Sequence, residues 1–132
     1  MSTIDEDKAR LSQLFGKLGY DVEADIENGL RVNTGGVHVT VVVYDDGTLS
    51  LVCSVAGGGV DLRLQDVNEA NSRVRFAKFS VEGGNLLLEA DFVFALHNAD
   101  ASAHLLHIMH LWDLAFLELR RLVTELASDL AA

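Results

Sequence analysis

The sequence predicts an α+β domain: an antiparallel sheet of about five strands packed by helices, in the order α-β-β-β-α-β-β-α. Three observations carry this. Residues 20–27 alternate between apolar and acidic, the period-two pattern of a half-wet strand. Turn signals at Asn28-Gly29 and Asp45-Asp46-Gly47 join short apolar runs into an antiparallel meander. Apolar residues near both ends of the chain recur at helical spacing. At 132 residues the chain is near the commonest size for one domain, so residues 1–132 are read as a single unit.

The first helix opens with Thr3 and Glu6 in capping-box spacing and with Asp5, Glu6 and Asp7 in its first turn. Leu11, Leu14, Phe15 and Leu18 share one face, and Gly19 stops it. The first strand sets Tyr20, Val22, Ala24 and Ile26 against Asp21, Glu23, Asp25 and Glu27. The second runs from Leu30 to Tyr44, bent at Gly35-Gly36, and the third from Thr48 to Ala56. Gly57-Gly58-Gly59 ends the meander. A helix is expected from about Asp61 or Leu62, with Leu64, Val67 and Ala70 at helical spacing. Strands over Val74–Val81 and Leu86–Phe94 follow, joined through Glu82-Gly83-Gly84-Asn85. The last helix occupies most of Ala101–Leu130.

That helix carries two apolar sets. Leu105, Met109, Trp112, Phe116, Leu119, Val123, Leu126 and Leu130 step by alternating four and three residues and predict a core-facing seam. Leu106, Leu114 and Leu117 lie roughly 100 to 180 degrees around the helix from Leu105. Either the sheet wraps the helix widely, or these are scattered surface leucines, or they cover a second surface. A homodimer is expected through the last helix, the sheet edge or both, with the helix favoured.

Composition narrows the function. Hydrophobic residues make up 49% and charged residues 23%, which is globular rather than disordered. Twenty acids against ten Lys and Arg give a net charge of −10, which disfavours nucleic acid and anionic membranes as partners and suits a protein or peptide. Cys53, the only cysteine, lies in a Val/Leu-rich run and is expected to be buried and inert. No apolar run approaches the roughly 20 residues of a membrane span, and the opening residues lack the regions of a signal peptide, so a bacterial-type cytoplasm is expected.

No catalytic or cofactor-binding residue is assigned. Gly35-Gly36, Gly57–Gly59 and Gly83-Gly84 lack the Gly-Lys-Ser/Thr ending of a phosphate loop and suit hairpins and bends. The acids of the first strand read as its solvated face, since paired-carboxylate chemistry needs an enclosed site. His104, His107 and His110 recur every third residue, with His97 before them and Asp113 after. Adjacent pairs could share a metal, but three such residues turn too far around the helix to converge easily. No metal is assigned, and these histidines stand only as a lesser alternative.

Asn68-Glu69-Ala70-Asn71-Ser72-Arg73-Val74-Arg75-Phe76-Ala77-Lys78-Phe79 resembles the segment of the YbjN-type family in which an asparagine-bearing helix runs into a strand. Leu86-Leu87-Leu88-Glu89-Ala90-Asp91-Phe92 is similar to that family's next strand, and Leu18-Gly19-Tyr20 also fits. The element order resembles the type III secretion chaperone-like fold. The motif residues look structural: Asn68 or Asn71 can terminate the helix, and Phe76 and Phe79 can pack on a sheet face. The resemblance implies a sensory-transduction regulator, a description without chemistry, or a small acidic homodimer that binds partly unfolded protein segments. The reading is therefore a non-enzymatic, chaperone-like or regulatory protein-binding domain, with a small-ligand or metal sensor using the last-helix histidines as the alternative.

Overall fold

A computed structural model describes residues 4–44, 46–57 and 62–131. Its elements are α1 (Ile4–Lys17), β1 (Asp21–Ile26), β2 (Gly29–Thr34), β3 (Val37–Val43), β4 (Thr48–Val55), α2 (Leu64–Arg73), β5 (Lys78–Glu82), β6 (Asn85–Val93) and α3 (Ala101–Ala131). Thr3 of the expected capping box, Asp45 of the expected turn, and Gly58, Gly59 and Asp61 lie outside the described residues. So do the side chains of Leu126 and Leu130.

The strands form one antiparallel sheet in the order β1-β2-β3-β4-β6-β5. There are six, not about five, because Gly35-Gly36 reverses the chain instead of bending it. Both glycines have positive φ, 59° and 82°, as the favoured two-residue hairpin turn requires, and Thr34 pairs directly with Val37. The first hairpin also shifts by one residue. Glu27 and Asn28 make its turn, and Gly29 begins β2, where a Cβ would stand 1.8 Å from the carbonyl oxygen of Val41. Here the glycine serves close backbone approach.

Pairing sets the two faces. Val39, Val41 and Val43 of β3, Leu49, Leu51 and Cys53 of β4, and Leu86, Leu88 and Ala90 of β6 are buried toward the helices. Thr40, Val42, Val52, Ser54 and Leu87 alternate with them on the opposite face, outside the core cluster. Leu11, Leu14 and Phe15 of α1 join the core as expected. Cys53 is buried, and burial pushes its thiol up from the ordinary range.

The buried seam of α3 is wider than the expected one. Leu105, Met109, Trp112 and Leu119 are buried as predicted, while Phe116 and Val123 are only partly buried. Ile108, Ala115 and Leu122 complete the covered stripe. Leu105, Ile108, Trp112, Ala115, Leu119 and Leu122 step by three and four, one residue out of phase with part of the predicted set.

The segment after α2 differs most from expectation. The helix starts at Leu64, where the Asp66 carboxylate accepts from the Arg63 backbone N–H at 3.0 Å. Neither asparagine ends it in a left-handed conformation; its C-cap, Val74, is extended. Phe76 has φ 66° and is 63% exposed, so it packs on neither sheet face, and the strand begins only at Lys78. Phe79 is buried. The Asn71 side-chain amide donates to the Phe79 carbonyl at 3.0 Å and accepts from the Phe79 N–H at 2.6 Å. These are the backbone groups that a further strand beyond β5 would otherwise pair. Asn71 therefore closes the sheet edge and ties α2 to it.

A second tie joins α2 to α3. The Glu118 carboxylate accepts from Arg121 Nε at 3.0 and 2.9 Å and from Arg73 Nη1 at 3.3 Å. The hydrogen bond from Arg121 holds the Glu118 carboxyl below its usual range, with Arg73 adding to it.

Two outcomes check this packing. Asn71→Ala leaves the Phe79 N–H and carbonyl without their partner and should cost about 1–3 kcal/mol in urea unfolding. Asn71→Asp, which keeps only the accepting half, should fall between it and the native chain; an unchanged midpoint in both would contradict the clamp. For Glu118, a folded-state pKa below the unfolded one means stability present near neutrality and lost as pH falls through the folded value. Glu118→Gln should accordingly flatten the acid limb of the melting temperature against pH.

Candidate functional site

The outer side of α3 gathers the unused apolar surface. Leu106 is 39% exposed, Leu114 64% and Leu117 59%, so the sheet does not wrap the helix as far as these leucines. They occupy one broad side because 106, 110, 113, 114 and 117 are separated by three, four or seven residues, or sit directly beside such positions.

Two apolar grooves run along the C-terminal half of this helix. One, about 260 Å³, is bounded by Thr34 and Gly35 of the β2–β3 hairpin and by Asp113, Leu114, Phe116, Leu117 and Arg120. The other, about 280 Å³, lies against Val37, Ser54 and Val55, with Phe116, Leu119, Arg120 and Val123 on the helix side. Phe116 and Arg120 belong to both. Phe116, placed by the sequence in the core seam, is thus a groove wall. Arg120 is exposed and makes no ion pair among the described residues. Sequence reasoning passed over it because a single arginine on a helix is ordinary; its seven-residue spacing from Asp113 was the available signal.

Asp113 stands at the other end of the first groove. Desolvation raises its carboxyl above the ordinary range, while nearby His110 pulls it the other way. Tyr20, half-buried and edge-on to Phe15 at 5.8 Å between ring centroids, has its hydroxyl pushed up by burial and then by the Asp113 charge. This is a partly desolvated acid at one end of a groove lined by Leu114, Phe116 and Leu117.

His104, His107 and His110 are all exposed, and the His104 ring lies 5.3 Å from that of Phe94. His97 Nε2 is 2.9 Å from the Asp7 carboxylate and holds the loop before α3 to α1. Among the described residues no group of three or more His, Cys, Asp or Glu gathers as a metal would need.

The acidic strand β1 is an edge strand. Its register shifts between Val22 and Ala24, a bulge at Glu23, whose carboxylate lies 2.5 Å from His38 Nδ1. A polar cleft of about 660 Å³ separates β1 from α1. The nearly buried Lys8 ammonium donates there to the Ile26 carbonyl at 2.7 Å and lies 3.4 Å from the Asp25 carboxylate. The lysine pins α1 to the edge, so its charge is already engaged. Both sheet edges are guarded, β1 by acids and a bulge and β5 by Asn71.

No helix among the described residues is long and apolar enough to cross a membrane. No curated protein matches the chain. A crystal structure of an uncharacterized protein from Methanothermobacter thermautotrophicus is similar at 14% identity, with a TM-score of 0.59, over 90% of this chain and 97% of that one. That likeness speaks to the fold alone. The family described as "Putative bacterial sensory transduction regulator" matches residues 7–126, including the α2–β5 segment, the grooves and the exposed leucines of α3. The chain belongs to the YbjN family.

Proposed function

We propose that this protein is a non-enzymatic regulatory domain of the cytoplasm that holds a protein or peptide segment, in the manner of a chaperone, and does so as a homodimer. The observation that carries this reading is the apolar side of α3: Leu106, Leu114 and Leu117 exposed beside two apolar grooves. Soluble chains usually keep such patches small unless something covers them. Complete burial of a leucine contributes on the order of 1.5–3 kcal/mol, and these three have part of that still to gain. Guarded sheet edges favour side-chain docking over added-strand pairing. The family's regulatory description fits a binding role.

Site-specific photocrosslinking in cells tests it. A crosslinker at position 124, beside the second groove, should trap one or a few discrete polypeptides besides the protein itself, while one at Lys17, on the exposed side of α1, should not. A trapped polypeptide, purified, should bind the isolated protein and lose affinity at least tenfold with Phe116→Ala. Equal, diffuse crosslinking at both positions would remove the case for α3 as the binding side.

A further inference from the structure

We infer that the outer side of α3 is built to dock antiparallel against the same helix of a second copy, with Asp113 of each copy meeting Arg120 of the other. This deepens the homodimer reading above and rests on it: the second copy covers the first groove, and the second groove, against Val37 and Val55, is left for a bound segment. Asp113 and Arg120 are seven residues apart, which places them within about 20 degrees of each other around the helix and about 10 Å apart along it. Both line the same groove, and Leu114 and Leu117 lie between them in sequence and line it too. Neither makes a salt bridge within 4 Å among the described residues of its own chain, the nearest charge to Asp113 being the exposed His110.

A two-fold interface must be self-complementary: whatever residue i meets on the second copy must in turn meet residue i. An acid, a leucine pair and a base along one helical stripe satisfy this when the helices run in opposite directions. The two-fold axis then passes beside Phe116 and Leu117, and the acid of each stripe lies over the base of the other. A parallel pairing would set Asp113 on Asp113 and Arg120 on Arg120, and like charges at close range oppose it. Leu114 and Leu117, the most exposed leucines of the helix among the described residues, fall in the middle of the contact, and Leu106 falls toward its periphery. The arrangement also answers the net charge of −10 on each copy. Salt screens distant charge repulsion over roughly 8 to 10 Å, whereas the two Asp113–Arg120 pairs and the leucines act at contact.

Light scattering after size-exclusion chromatography, at tens of micromolar protein and moderate salt, tests the geometry. The native chain should run at twice the 14.3 kDa chain mass. Arg120→Asp and Asp113→Arg should each run as monomers. The double variant carrying both should regain the dimer, because the swapped pair is again acid to base. Circular dichroism verifies folding. Arg120 is exposed and makes no ion pair among the described residues, so its variant should keep the native circular dichroism spectrum and a cooperative melt, lowered only by the lost association, even if the one beside Tyr20 does not. A dimer that persists in Arg120→Asp, or is not regained in a folded double variant, overturns this contact and leaves the homodimer reading standing. A monomeric native chain overturns both.

Discussion

A sheet with a core on one side only must have that side fully covered, and the cover here depends on how α3 lies between α1 and α2. Leu105, Ile108, Trp112, Ala115, Leu119 and Leu122 complete the dry layer above Leu49, Leu51, Leu88 and Ala90. Among the described residues, the other two helices contact α3 and not one another. His97 fixes the approach to α3 against α1, and Glu118 ties its later turns to α2 through Arg73. With that stripe committed inward, the helix has one side left, and on it stand Leu106, Leu114 and Leu117. On the proposed reading the functional surface is the reverse of the structural one, and substitutions on the two sides of α3 act on different properties, stability inside and association outside.

Much of the fold was legible because it rests on periodicity. The alternation of β1, the helical spacing of Leu11, Leu14 and Phe15, and the long run of α3 each state a period that only one kind of element can use. What was hidden depended on backbone detail or on distant partners. Gly35-Gly36 reads as a bend within a Val/Thr-rich strand until both residues take left-handed backbones, at which point one long strand becomes two. Asn71 reads as a helix terminator because asparagines often are. Its actual role, supplying a side-chain amide to the backbone of Phe79, exists only after the chain has turned back at Phe76. In α3 the larger Phe116 drew the predicted seam to itself. Ala115, too small to stand out as an apolar signal, is the residue that faces inward.

The candidate surface was half legible. The off-seam leucines were visible from helical geometry alone, and the structure leaves them exposed. The grooves were not, because their far walls include Thr34, Gly35 and Val37, from two strands joined by a hairpin that the sequence did not separate. The histidines drew attention by their regular spacing, and among the described residues no three His, Cys, Asp or Glu side chains gather around the exposed His104, His107 and His110. Regular spacing on a helix is no guarantee of convergence; three residues per step advances around the helix with every repeat.

The central claim is that the protein works through the outer side of α3 and not through the naked face of its sheet. Both carry apolar methyl groups, Leu114 and Leu117 on the helix and Val42 and Val52 on the sheet. Methyl-labelled leucine and valine spectra recorded from micromolar to millimolar protein distinguish them directly. The account predicts that the Leu114 and Leu117 methyl resonances shift or broaden with concentration while those of Val42 and Val52 hold still. Concentration dependence confined to Val42 and Val52 would contradict it.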